Sequence, residues 1–520
     1  MDKDYYLKLG KANDLKDPKE RLLFRLFEIF PGALSLTVLF SAVILSYFKP
    51  LWVSIFIIIF VVFWFLRMVY FTFNLLSGYK KMDDFKKINW INMLDSLPKI
   101  QYGIKGIDNW DNIYQLVIIP MYKEPYEVVR GAFDSIAKTD YPKKIMIVVL
   151  ACEERAKGQA VNETARKIEK EFGSMFFKFF ITWHPKNIEG EIAGKGSNET
   201  WAAKKAKELI DELKIPYKNI LFSSFDADTC IYPKYFSCLA YHYLTVKNPL
   251  RTSYQPVPLY INNVWQAPAL SRIFSFSSSF WHTMNQERPE KLVTFSSHSM
   301  SFDPLVEVGF KQTNIVPDDS RIFWQCFFKY NGNYKVEPIY YPVSMDANVA
   351  ENTFKTILNI YKQQRRWAYG AVDIPYFLFG FIKNKEIPFK RKASLGLELI
   401  GGHLSWATAS ILIFALGWLP LYLGGKEFSH TLISYNLPII IGRIMTISMV
   451  GLIVSIYLSF ILLPPRPLKY ARHKYITFLL GWILFPLSTV FFTSFPALDA
   501  QIRLMLGKYM GFWVTEKVRK

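Results

Sequence analysis

Cysteine is scarce. Four residues, Cys152, Cys230, Cys238 and Cys326, are spread through 520 positions, with no Cys-x-x-Cys pair and no Cys/His spacing suited to a metal. A disulfide scaffold and a zinc module are thereby excluded. The spacing Gly-x4-Gly-Lys-Ser/Thr is missing, so the lysine-bearing glycine stretch at 190–198 is no P-loop. Nor is there an internal repeat of the kind that transporters carry. What is abundant is apolar: 51% hydrophobic and 17% aromatic residues, beside 20% charged residues and a formal net charge of +20. The chain is too long for one core and too ordered in composition for a disordered polymer. A mean hydropathy of +0.12 together with 63 Lys+Arg requires apolar and charged residues to be segregated along it.

They are segregated into membrane-like runs. Residues 34–48 and 51–76 are apolar and separated by little more than Lys49-Pro50, the pattern of a transmembrane hairpin. The first run is shorter than the roughly 20 residues of a span, but Phe27, Ile29 and Phe30 extend it backwards. A second apolar run directly after the first fits a cleaved signal peptide poorly. Three more runs occupy 395–423, 437–463 and 475–495. Lys3, Lys8, Lys11, Lys16, Lys19, Arg21 and Arg25 precede the hairpin, whereas its turn offers only Lys49; this asymmetry places the N-terminal segment and the central region in the cytoplasm. Lys426 alone, against Arg466, Lys469, Arg472 and Lys474 after the fourth run, agrees. A full fifth crossing would export Arg503, Lys508, Lys517, Arg519 and Lys520, against the same rule, and Pro486 divides that run. The expectation is therefore about four to six spans, the last one broken or re-entrant. Basic residues beside spans point to anionic lipid, worth about 1 kcal/mol each near the surface, and no nucleic acid is expected.

The expected order is a basic segment over 1–32, a hairpin over 33–78, a linker over 79–111 and a central domain over 112–353. Interfacial helices follow over 354–394, then a membrane block over 395–497 and a basic amphipathic tail over 498–520. Within the central domain, buried-strand patterns at 115–120, 145–151, 176–183 and 220–225 alternate with helical patterns at 127–138, 161–172 and 199–213. Continuous apolar strands spaced by amphipathic helices predict an α/β domain with a mostly parallel sheet. Its ligands belong at the carboxyl ends of strands, just after Pro120, Ala151, Trp183 and Phe225.

Those positions carry the polar motifs. Asp226-Ala227-Asp228 leaves the fourth strand, and two carboxylates so placed can hold a hard divalent cation that bridges a diphosphate; a solvated acidic turn has the same spacing. Tyr122 and Glu124 after the first strand can seat a nucleotide, or form an ordinary strand-to-helix turn. Glu153 and Glu154 after the second can accept from a base or ribose, or cap the next helix. Lys195, in a glycine-rich loop ahead of a helix, suits phosphate; taken alone, the stretch reads as a flexible loop. Asp318 and Asp319 precede a helical pattern at 322–329, where a carboxylate can be a general base and one of the pair can be an N-cap. Gln363-Gln364-Arg365-Arg366-Trp367 offers guanidinium groups for a departing diphosphate, an amide for hydroxyls and an indole for a sugar face; an interfacial helix has the same composition.

Taken in order, VIIPMYKE, GKGSN, DAD, PDD and QQRRW resemble the motifs of the membrane-bound inverting glycosyltransferases of family 2, the group with cellulose and hyaluronan synthases. The resemblance spans about 112–370, and 499–517 with its VTEK also looks like the tail of membrane relatives. It implies a GT-A-type (Rossmann-like) cytoplasmic domain inserted between transmembrane blocks of the plasma membrane. It also implies a UDP-sugar donor, Mg2+ or Mn2+, a polysaccharide or lipid acceptor, and an export partner protein in some relatives. By position, Asp226 and Asp228 would hold the metal, and Tyr122, Glu124, Glu153, Lys195, Asp226 and Arg366 the donor. Asp319 would be the general base, and Gln363 and Trp367 would meet the acceptor. Pro317 and Asp318 stand where Thr and Glu are usual, and Cys152-Glu153-Glu154 where paired aspartates are common.

Overall fold

The computed structural model describes residues 4–516 and Arg519; Lys3, Lys517 and Lys520, counted above among the basic flanks, lie outside the described residues. A wrapping segment leads into α1 (Pro18–Phe48), whose cap Asp17 accepts from the Lys19 amide, and α2 (Pro50–Lys87) follows across Lys49. Pro at the first position of each helix suits a site whose N–H would be unpaired. The helix thus begins well inside the segment read as a basic flank; its first turns bury Phe24 in the apolar core of the central domain and Glu28 against the Ala12 amide and the Tyr509 hydroxyl.

After α3 (Trp90–Asp95), the chain forms β1 (Tyr114–Met121), α4 (Tyr126–Ala137), β2 (Met146–Glu153), α5 (Gln159–Phe172), β3 (Lys178–His184), α6 (Lys195–Glu212) and β4 (Ile220–Ser224). These match the sequence pattern closely. Beyond them come β5 (Cys230–Ile231), α7 (Tyr235–Thr245), β6 (Thr252–Leu259), α8 (Ala269–Gln286), β7 (Ser299–Ser301), α9 (Phe302–Glu307), α10 (Asp318–Lys329) and β8 (Lys335–Ser344). One sheet runs β3-β2-β1-β4-β7-β6-β8-β5. Its first half is parallel and Rossmann-like. The second half keeps β6 and β8 parallel to each other and to the first half, and adds two reversed strands, β7 antiparallel to β4 and β6, and β5 antiparallel to β8, so the sheet is mixed but mostly parallel as the pattern predicts. Along β1, Leu116 and Ile118 face one apolar layer with α6 and α10, and Val117 and Ile119 face another with α4, α5 and α7. A strand buried on both faces explains its unbroken apolar run.

The chain continues through α11 (Thr353–Ala368), α12 (Asp373–Lys383), α13 (Phe389–Leu416), α14 (Leu419–Leu423), α15 (Gly425–Ser429), α16 (Leu432–Ile461), α17 (Lys474–Gly481), α18 (Phe485–Thr489) and α19 (Phe495–Met505). Among the described residues, five stretches are long and apolar enough to cross a membrane: Pro18–Phe48, Pro50–Lys87, Phe389–Ala415, Leu432–Ile461 and Lys474–Met505. They mark an integral membrane protein. The fifth is broken as Pro486 predicts, with a 3-10 turn at Trp482–Leu484 before it and a π turn at Val490–Ser494 after it.

Candidate active site

The carboxyl ends of β1, β2 and β4 meet the N-terminus of α6, the start of α10 and the inner face of α11. Lys195 is not in a flexible loop: it opens α6 and is buried. Its neighbours have to be glycine, because a Cβ on Gly196 would lie 2.7 Å from the Asp318 Cβ, and one on Gly194 would lie 2.5 Å from the Phe512 ring.

Two ammonium groups organise the centre. Lys195 Nζ lies 2.7 Å from Asp226 Oδ1 and 3.1 Å from Asp319 Oδ2. Lys311 Nζ lies 2.7 Å from Glu199 Oε2, 3.0 Å from Asp318 Oδ2 and 2.8 Å from Asp319 Oδ1. Lys311 also donates to Ser224 Oγ at 2.9 Å, and that hydroxyl donates to Glu199. These contacts overturn the N-cap expectation: α10 starts at Asp318 with Pro317 as its cap residue, and neither carboxylate caps the helix because both are engaged by lysines.

The electrostatics follow from burial and from these pairs. Burial would raise the Asp319 carboxyl, but Lys195 and then Lys311 outweigh it and hold it well below the usual carboxylate range. Asp318 goes the other way, raised by burial and by the neighbouring Asp319 charge. Burial pushes Glu199 up to about 7 against the pull of Lys311 and Lys195. His298 is lowered to about 3 by burial and by Lys311; its Nδ1 lies 2.9 Å from the Phe295 carbonyl and 3.7 Å from Asp319 Oδ1. Arg366 is half-buried and faces the charges of Asp226, Asp318 and Asp319.

Glu199, Asp318 and Asp319 bring oxygens within 4.8 Å of one another, the spacing of a cation site. The cation among them is the Lys311 ammonium. Asp226 Oδ2 accepts from Ser296 Oγ at 2.8 Å, and the buried Asp228 accepts from the Asp346 amide at 2.9 Å. A pair of carboxylates leaving one strand end is a hard-oxygen donor set, which fits Mg2+ or Mn2+.

A second polar patch lies at the ends of β1 and β2. The Tyr122 amide donates to Glu124 Oε2 at 2.6 Å, and the Arg155 guanidinium stands 4.5 Å over the Tyr122 ring while pairing with the buried Glu153. Glu154 instead begins a 3-10 turn. On α11, Gln363 Oε1 accepts from Asn348 at 3.2 Å and the Trp367 ring lies 6.0 Å from that of Tyr260. Arg365 turns away to Asp499 at 2.8 Å, whereas Arg366 lies 4.9 Å over the Phe512 ring of the tail. Arg519 reaches Asp346 at 2.8 Å, beside the Asp228 contact.

Lys195, Asp226, Asp319 and Arg366 are thus brought to one centre, while Tyr122, Glu124 and Glu153 form the adjoining patch. Sequence reading missed Lys311, Glu199, His298 and Arg155. Only Arg155 had a signal, its position next to the Glu153-Glu154 pair.

No family model and no curated protein matches the chain. Among solved structures, a mannosyltransferase from Pyrobaculum calidifontis in complex with GDP-Man and Mn2+ is similar over 75% of this chain and 99% of its own, at 12% identity and a TM-score of 0.40. Residues 1–349 of S. aureus TarS in complex with UDP-GlcNAc are similar over 76% of this chain and 92% of their own, at 11% identity and a TM-score of 0.37.

Proposed function

We propose that the protein is a membrane glycosyltransferase that moves a sugar from a nucleotide-sugar, a UDP-sugar by the motif resemblance, to a growing polysaccharide with inversion. The observation that carries this reading is the convergence of Lys195, Asp226, Asp319 and Arg366, from four separate stretches of chain, on one half-buried charged centre. The catalytic domain is read as cytoplasmic, beneath the plasma membrane, from the distribution of lysine and arginine.

In this reading Asp319 takes the proton of the acceptor hydroxyl as the acceptor oxygen bonds to the anomeric carbon. The bond from that carbon to the diphosphate oxygen breaks on the opposite face, and the nucleoside diphosphate leaves. Lys195 and Arg366 neutralise the departing charge in a water-poor site, where such donors act most strongly. A donor diphosphate also competes with Asp319 for Lys195, so donor binding frees the base from one of its two cations and raises its basicity. Mg2+ or Mn2+ held by Asp226 and Asp228 would supply Lewis-acid neutralisation of diphosphate oxygens. Tyr122, Glu124 and Glu153, with Arg155, face the nucleoside. Gln363 and Trp367 hold the acceptor end, the indole serving as a platform for a sugar ring.

The test is nucleoside diphosphate release by lipid-reconstituted protein across UDP- and GDP-sugars with Mg2+ or Mn2+, with the product sized. Asp319→Asn should lose about 10²–10⁴-fold in turnover while keeping donor affinity. An equal loss of donor affinity would remove the base assignment. A lipid bearing one sugar as sole product would replace the polymer with a lipid acceptor.

A further inference from the structure

A second charged cluster lies where the central domain meets the membrane helices α2 and α13, away from the motifs. Arg67 sits on α2, roughly 25 Å along the helix from Pro50 at about 1.5 Å per residue, and so within the reach of a hydrocarbon core about 30 Å thick. Its guanidinium lies 5.0 Å over both the Trp64 and Phe71 rings, and Arg288 approaches the same Phe71 ring at 5.8 Å. Arg288 Nη2 and Lys291 Nζ share one carboxylate, Glu398, at 2.7 and 3.1 Å. Three cations therefore gather around one anion. Among the described residues, no hydrogen bond or ion pair engages Arg67.

Cationic side chains in a span are costly and rarely left uncompensated. Neither helix closes over this group. Trp64, Arg67 and Phe71 follow one another at helical spacing on α2, and Glu398, Gly401 and Gly402 do so on α13. A Cβ built on Gly401 or Gly402 would meet nothing within 4 Å, so the face of α13 beside Glu398 is open. The outward residues Phe63, Leu66, Tyr70 and Phe73 on α2 and Leu397 on α13 are exposed and apolar, a surface for acyl chains rather than for water.

We propose that Arg67, Arg288 and Lys291 hold the phosphate of an anionic membrane lipid, whose tails lie along the exposed faces of α2 and α13. Guanidinium groups match phosphate oxygens in bidentate fashion, and basic pockets between spans are suited to such headgroups. A free phosphate offers the same oxygens but not the tails. The proposal stands independently of glycosyl transfer.

The test uses the full chain in detergent, with bound molecules counted by native mass spectrometry during titration with phosphatidylglycerol, phosphatidylcholine or inorganic phosphate. Wild type should retain one phosphatidylglycerol, and Arg67→Gln and Lys291→Gln should bind it about tenfold more weakly, the loss of one charge-assisted contact. Arg67→Lys should retain most of the affinity. If Arg67→Gln does not fold, Lys291→Gln carries the test, because its side chain sits at the mouth of the cluster. Unchanged phosphatidylglycerol affinity in the folded variants overturns the site. Equal binding of phosphatidylcholine overturns the anionic requirement, and equal binding of inorganic phosphate overturns the lipid source.

Discussion

The strand-end centre and the membrane-side cluster are both built from lysine, arginine and carboxylate, and they differ in how the charges are matched. At the strand ends, Lys195, Lys311 and Arg366 face Glu199, Asp226, Asp318 and Asp319, and every cation has an anion within reach. At the membrane, Arg288 and Lys291 pair with Glu398, whose charge Arg67 also feels, and among the described residues no other carboxylate is paired with these three cations. The first group is closed upon itself, so it stabilises the fold only while its members stay together. The second is short of negative charge, so it is completed from outside. Both are read as receptive, and the balance of charge rather than burial separates a centre already matched before its ligand arrives from one that is not.

The largest test of this contrast removes a cation from the closed group. Lys311 is 1% exposed, so Lys311→Met would leave Asp318 without its ammonium and Glu199 and Asp319 with Lys195 as their remaining lysine, and should lower unfolding stability by about 3–5 kcal/mol. A drop below about 1 kcal/mol in a denaturant titration would show that the carboxylates are compensated elsewhere.

The same variant has a consequence for pH. Asp319 is held low by Lys195 and Lys311, so its contribution to stability is present above the unfolded carboxyl value and is lost only as pH falls through the depressed one. Without Lys311 the carboxyl rises, and the acidic limb of the turnover profile should move to higher pH. A limb that stays in place would detach Asp319 from proton transfer. Smaller still, Glu398→Gln takes the one anion from the open group and should tighten phosphatidylglycerol binding roughly three- to tenfold, the opposite of what losing a member does to a closed network. The smallest effect belongs to a pair outside both groups. Arg365 and Asp499, each about a quarter exposed at 2.8 Å, should cost at most about 1 kcal/mol on Arg365→Ala, read from a thermal melt.

The β3-β2-β1-β4 half of the sheet was legible because β1, β2 and β4 are buried on both faces and so spell continuous apolar runs. The other half was hidden by proline. Pro256 and Pro258 lie in β6, and Pro338 and Pro342 lie in β8, where a run would normally be rejected as a strand. The structure accommodates them with a register shift between Gln255 and Val257 and a positive φ of 47° at Tyr340. In the site, residues that travel in motifs were found, and Lys311 was not. It stands alone in Phe310-Lys311-Gln312, and only the fold brings it to carboxylates from α6 and α10. The N-cap expectation failed because Lys311, in the loop just before α10, takes both carboxylates, and Lys195 of α6 takes Asp319 as well.

The segment that wraps the central domain carries a cost in time. Tyr376 donates to the Leu7 carbonyl across 369 residues, and Arg321 donates to that of Leu9 across 312. At about 5–20 residues per second, the ribosome needs roughly 20–70 s to make the partner of Leu7 after Leu7 itself has emerged. For that interval Leu7 and Leu9 have no surface to bury against, and α1 and α2 reach the bilayer before the domain between the membrane blocks exists. Closure of the N-terminal wrap therefore waits for α10 and α12, and a chain stalled before Tyr376 would have its first hairpin inserted but its wrap unsealed.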